Sequence, residues 1–363
     1  MNARDRFCEY FAKGFTDKER IGLELEHFVM KEGRPLNYSD GVCDILAEIA
    51  DGCKRIFYES GKILGADMGE YTITLEPGAQ LEVSVKPFED TAQIKRVLDS
   101  FYKKAEPILT RYNATLSTIP VVDESKLVNI ELIPKERYRY MDKYFLESGT
   151  MGRYMMRGSA STQISVDYDS EADFVKKFRA AYILSPVFAL ICSNGENKLK
   201  RLEIWDNVDE KRTYIPKALF SDDFGFEKYA EGLLNVPAIF VPMGDGFLYT
   251  GDKTVGALCE IYGIDEGMTE HFLSMVFPDV RLKQYIEIRI ADAMPYERAI
   301  GYAELIKRIF YTDALDEVLN RYNGTTVDDI INAKCEIRQK GENAQIYGRS
   351  AAKEAEYLIS FMR

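Results

Sequence analysis

The chain has 363 residues, enough to bury a sizeable core, and its hydrophobic content of 46% is ordinary for a globular protein. A net charge of −12 argues against a protein whose main task is gripping nucleic acid or an anionic membrane, though a nucleotide could still be held by local cations. Only two histidines occur, His27 and His271, so a Ser/His/Asp triad or a His-rich zinc site has little to be built from.

The opening Met1-Asn2-Ala3-Arg4-Asp5-Arg6 has no apolar stretch behind it, and no run of 18 apolar residues occurs anywhere, so a cytoplasmic chain without a membrane span is expected. The six cysteines are scattered without a CxxC pair, as reduced thiols would be. No Pro/Gly/Ser-rich linker divides the chain. It is read as one domain, 1–363, with a sheet core over 20–295 and a helical extension over 296–363.

Four segments alternate with the period of a half-buried strand. In 21–26, Ile21, Leu23 and Leu25 alternate with Gly22, Glu24 and Glu26. In 80–85, Leu81, Val83 and Val85 alternate with Gln80, Glu82 and Ser84. In 163–168, Ile164, Val166 and Tyr168 alternate with Gln163, Ser165 and Asp167, and in 286–290 three isoleucines flank Glu287 and Arg289. Helices are expected over 40–52, 89–112 and 170–192, the last capped by Ser170 and kinked or ended early by Pro186. After Pro295 the pattern is helical nearly to the end, with Thr325 or Thr326 as a cap. Strands separated by long helices, each strand polar on one side, predict an α+β fold with helices on one face of the sheet.

The polar face carries Glu24, Glu26, Glu82, Asp167 and Glu287, with Arg289 the only cation among those alternating positions. Glu76, ahead of Pro77-Gly78, adds another carboxylate at a strand mouth. Two carboxylates two residues apart on one face lie roughly 6–7 Å from each other. At an effective dielectric of about 20 they repel by roughly 2.5 kcal/mol. A hard divalent cation with oxygen ligands relieves that repulsion, and Mg²⁺ shared between carboxylates and substrate phosphates fits. An arginine beside such a cluster suits the charge on a transferring phosphoryl group. No GxxxxGK[ST] and no GxGxxG opening a helix occurs, so ATP, if used, is held by metal and sheet rather than by a Gly-rich loop. His27 falls on the packed face, and Trp205 reads as a core or rim anchor.

An ordered series of segments resembles the glutamate–cysteine ligase family of plant and proteobacterial type, within the glutamine-synthetase-like carboxylate–amine ligases. The series begins with 20–28 (Arg20 through Glu24 and Glu26 to Phe28) and 73–84 (Glu76-Pro77-Gly78-Ala79-Gln80 through Glu82). It continues through 134–138, Met155-Met156-Arg157 into 163–167, then Arg201, Trp205, Asp206 and Arg212-Thr213, and closes with 285–295. The resemblance implies a curved, mainly antiparallel sheet funnel holding Mg²⁺ and ATP. There the γ-carboxylate of glutamate would be phosphorylated and then joined to the amine of cysteine. It implies Glu24, Glu26, Glu76, Glu82 and Glu287 as metal ligands, and Arg289 with Glu287 as the catalytic pair. Gln80, Arg157, Gln163, Ser165, Arg201, Arg212 and Arg289 are implied as nucleotide or substrate contacts. The chain departs from the family at Ala79, where a glycine is usual, and at Ser165, where a larger amide is common. A sister ligase with another amine acceptor and a guanidino-kinase-like phosphotransferase are the alternatives.

Overall fold

In the computed structural model, which describes residues 2–195, 198–244 and 246–362, the four alternating segments become consecutive neighbours of one antiparallel sheet. Ile286–Asp292 pairs with Ser161–Val166, which pairs with Ile21–Lys31, which pairs with Leu81–Phe88. The sheet continues past Leu81–Phe88 through Tyr71–Leu75, Lys62–Asp67 and Arg55–Glu59, and at its other edge ends on Val280–Leu282. Its apolar side chains, among them Leu23, Leu25, Val83, Ile164 and Ile288, are buried against the helices Thr91–Arg111, Glu171–Cys192 and Tyr296–Phe310. The expected α+β class is borne out; the long helices cover the apolar face, while the shorter Glu136–Ser148 and Gly152–Gly158 stand over the polar one. His27 lies on that packed face, its Nδ1 3.1 Å from the Ser117 carbonyl and its Nε2 2.8 Å from the Tyr102 hydroxyl.

The helices begin where local chemistry favours it. Asp90 accepts from the Ala92 amide, and Ser170 from the Asp173 amide, each satisfying one of the donors that a helix start leaves unpaired. Thr326 and Asp329 form a reciprocal capping box at the start of Val327–Lys340. The helix expected over 40–52 is trimmed to Val42–Ile49, after a 3₁₀ turn and Gly41 at φ 131°.

Pro186 does not end its helix, which runs on to Cys192. The reason is local. A proline at 186 cannot donate to the Tyr182 carbonyl, and the Ser185 hydroxyl donates to that same carbonyl at 2.9 Å. The helix is also buried nearly all round, with Phe174, Phe178, Tyr182 and Phe188 in the core, so packing outweighs the one lost backbone bond. The C-terminal helices Ala314–Arg321, Val327–Lys340 and Ala351–Ser360 pack on it. Buried Lys334 ties them to the core through Asp279 at 2.6 Å and Asp206 at 2.9 Å.

Ser185→Ala is expected to lower unfolding stability by about 1–3 kcal/mol, because the Tyr182 carbonyl is left without a donor. In a Pro186→Ala background, which restores a backbone donor, the same change should be nearly neutral. Urea unfolding of the four proteins in this cycle checks it, and equal losses in both backgrounds would refute the account.

Candidate functional site

The strand register brings the polar side chains together. Glu26 sits opposite Glu82, Glu24 opposite Gln163, and Glu287 opposite Ser165. Side chains directly opposite on antiparallel strands have Cβ atoms about 4.5–5.5 Å apart, and like charges there destabilise the pair. A cavity of about 340 Å³ lies over this face, lined by Glu24, Glu26, Glu76, Glu82 and Glu287, with Gln80, Gln163 and Arg289. The loop and helix from Lys135 to Met141, together with Met155 and Met156, form its other wall.

The carboxylates fall into two groups. Glu287, 1% exposed, is surrounded by cations: Arg281 at 2.6 Å, Lys283 at 2.9 Å and Arg289 at 2.8 Å. Burial would push its carboxyl up, but these three cations hold it well below the usual carboxylate range. The others lack such compensation. Burial pushes Glu24 up to about 8, helped by Glu82 and Glu287. Glu76 is likewise pushed up to about 8 by burial, then by Glu82 and Glu26. Glu26 and Glu82 are raised, chiefly by burial. Hydrogen bonds partly support this pair. Glu26 accepts from the Ser161 amide at 2.7 Å and from Gln163 Nε2 at 2.8 Å, and Glu82 accepts from the Thr74 hydroxyl at 2.7 Å. Among the described residues Glu24 and Glu76 receive no side-chain hydrogen bond or ion pair.

The donor set is all carboxylate oxygen, which suits a hard divalent cation. Among the described residues, however, no three of His, Cys, Asp and Glu are already drawn close enough to form a ready-made metal site. Opposite them, Arg289 donates through Nη1 to Gln163 and Glu287 and Arg137 through Nη2 to Ser274, which leaves Arg289 Nη2 and Arg137 Nη1 without an acceptor among the described residues, donors suited to an anion. The residues therefore fit both Mg²⁺ and a phosphate chain.

Several residues named as contacts lie elsewhere or are already engaged. Arg157, Ser165, Arg201 and Arg212 are not among the cavity-lining residues. Arg157 donates to the Ile130 carbonyl at 3.2 Å and to Asp142 at 2.7 Å. Arg212, 0% exposed, pairs with Asp209 at 3.0 Å and donates to the Met275 carbonyl at 2.8 Å. Arg201 donates only to main-chain carbonyls, those of Arg289 and Ile290. All three are engaged outside the cavity: each donates to at least one main-chain carbonyl, and Arg157 and Arg212 also meet a carboxylate. Ser165 sits between Gly22 and Glu287 in the sheet. Gln80 lines the cavity, but its amide closes the turn that presents Glu76, accepting from the Gly78 amide at 2.8 Å and donating to the Ser159 carbonyl at 2.8 Å. In that turn Ala79 has φ 64°, a conformation that favours glycine, and a Cβ on Gly78 would lie 2.6 Å from the Arg157 carbonyl oxygen.

Four cations of the cavity were not anticipated as site residues: Lys135, Arg137, Arg281 and Lys283. Arg281 and Lys283 alternate with Val280 and Leu282 just before the Ile286 strand, and that alternation was the available signal. Arg137 stands within a segment of the motif series and had been given no role.

The family model described as "Glutamate-cysteine ligase family 2(GCS2)" matches residues 20–322, and the chain belongs to that family. A chloroplastic glutamate–cysteine ligase of Solanum lycopersicum is 32% identical over 333 residues, covering 86% of this chain and 63% of that one. The Medicago truncatula and Arabidopsis thaliana enzymes of the same name are each 31% identical, with 68% and 63% of their lengths covered. The chain thus spans just under two thirds of the tomato and Arabidopsis relatives. A solved complex of the ubiquitin-like protein Pup with its ligase PafA aligns at a TM-score of 0.35 and 11% identity, over 95% of this chain and 63% of that one. The family read from the ordered motifs is borne out. No helix among the described residues is long and apolar enough to cross a membrane.

Glu82→Gln is expected to raise the melting temperature of the ligand-free protein. It removes one charge from an uncompensated group while the Gln oxygen still accepts from Thr74, a gain of about 1–2 kcal/mol. Arg281→Met should do the reverse, since removing one partner of a buried pair costs about 3–5 kcal/mol. Calorimetry of both variants without added ligands checks the division; a destabilised Glu82→Gln would contradict it.

Proposed function

We propose that the cavity is the active site of an ATP- and Mg²⁺-dependent ligase joining the γ-carboxylate of glutamate to the amine of cysteine. The observation that carries this is the pairing, in one cavity, of four carboxylates short of counter-charge with arginines that have donors to spare. Family membership supports the choice of substrates. Glu24, Glu26, Glu76 and Glu82 would hold Mg²⁺, which when bound neutralises phosphate oxygens. Glu287 is engaged with cations, so its first task is to fix them. It holds Arg289 from one side while Gln163 Oε1 accepts from Arg289 on the other. Arg289 is thereby oriented toward the transferring phosphoryl group, where it would stabilise developing charge. Lys135 and Arg137 on the far wall would bind substrate carboxylate, with Tyr138 and Met141 excluding water beside them.

In the reaction, a γ-carboxylate oxygen of glutamate attacks the terminal phosphorus of ATP, and ADP leaves. The amine nitrogen then attacks the acyl carbon, phosphate leaves with the C–O bond pair, and the nitrogen loses a proton to solvent. We read the chain as cytoplasmic; its six unpaired cysteines suit a reducing compartment.

Purified protein should release ADP and phosphate only when glutamate, cysteine and Mg²⁺ are all present, with γ-glutamylcysteine identified by mass. Chelation should abolish turnover, and Glu24→Gln and Arg289→Lys should each lower kcat by about 10²-fold or more. Equal turnover with other amines would reassign the acceptor. A phosphorylated acceptor without an amide would reassign the reaction to a phosphotransferase.

A further inference from the structure

Arg289 does not stand on a regular strand. Ile288 pairs with Ile164 and Ala291 with Thr162, so both Arg289 and Ile290 face Gln163 alone. This is a β-bulge, a device that bends a strand and re-aims a side chain. The carbonyls at the bulge meet a side chain: Arg201 Nη2 donates to the Arg289 carbonyl and Nη1 to the Ile290 carbonyl, each at 3.0 Å. The Arg289 amide donates to the Asp279 carbonyl at 2.8 Å.

Arg201 is 1% exposed, lies with its guanidinium 4.1 Å from the centre of the Trp205 ring, and does not line the cavity. Trp205 is itself fixed by its indole N–H, which donates to the Phe277 carbonyl at 3.1 Å. Burying an arginine this deeply is costly, and its planar fork holds two donors at a fixed spacing for two successive carbonyls, which a flexible ammonium does not.

We infer that Arg201 is a positioning residue: its fork clamps the bulge, and the clamped bulge aims Arg289 between Gln163 and Glu287 and toward the cavity. The inference rests on the role proposed above for Arg289. Arg201 also stands near Asp292 and Glu26, and a simple counter-charge for them would be supplied equally well by lysine. The fork would not.

The test is a double-mutant cycle on kcat in the full chain. Arg201→Lys keeps the charge and loses the fork. It should lower kcat about ten- to a hundredfold, as expected for a small misplacement of a reacting group, with KM for glutamate and ATP within about threefold of wild type. In an Arg289→Lys background the same substitution should cost less than about threefold in kcat, because the group it aims is already altered. The same factor in both backgrounds, or wild-type kcat in Arg201→Lys, overturns the inference. Where Arg201→Lys does not fold, Trp205→Leu decides in the same two backgrounds, since it removes the aromatic face on which the guanidinium rests. An Arg289→Lys protein with undiminished turnover instead defeats the proposed role of Arg289, and with it the premise.

Discussion

Glu26 faces Glu82 across adjacent strands, an arrangement that an isolated sheet would avoid. What enforces it is the other side of the same strands. Leu25 sits opposite Val83 and Leu23 opposite Val85, all buried against the helices. Because side chains alternate with period two, slipping this register by one residue would carry the whole apolar row into the cavity. The hydrophobic packing of one face therefore fixes the crowding of charge on the other. A buried leucine or valine contributes about 1.5–3 kcal/mol, so a few of them outweigh one like-charge pair.

The cavity is electrically uneven. Around Glu287 three cations converge on one carboxylate, whereas Glu24, Glu26, Glu76 and Glu82 share one wall with little positive charge of their own. Such a division suits a reaction that brings a cation and a polyanion together. One half lacks positive charge; the other has it in surplus and already oriented. Preorganisation of that kind acts at the moment of charge transfer without further reorganisation. Uncompensated buried charge is also a drain on stability, and proteins retain such features where function needs them.

Much of this was legible in the sequence because it depends on period and residue type. The four alternating segments, the face bearing Glu24, Glu26, Glu82 and Glu287, and Glu76 at its turn all follow from side-chain alternation and turn chemistry. Strand order did not follow, since pairing between residues more than a hundred positions apart leaves no local trace. The persistence of the helix through Pro186 rests on burial nearly all round it and on the Ser185 hydroxyl at the right position, neither of which helix propensity shows. Arg281 and Lys283 were readable in principle, but a three-residue strand, Val280–Leu282, is too short for alternation to stand out.

The arginines show where residue type stops being informative. Arg157, Arg201, Arg212 and Arg289 look alike in a sequence that predicts phosphate and carboxylate chemistry, yet only Arg289 lines the cavity. A guanidinium is equally suited to an oxyanion and to a pair of peptide carbonyls, because both present oxygen acceptors at fork spacing. What separates the two uses is backbone regularity. Where the ladder is intact, carbonyls are satisfied by neighbouring strands and an arginine is free to face a ligand. Where it breaks, as at Arg289 and Ile290, buried carbonyls need donors and take the nearest arginine. Alternation shows which face a residue occupies but cannot show a bulge, so the residue that aims Arg289 had to be found in three dimensions.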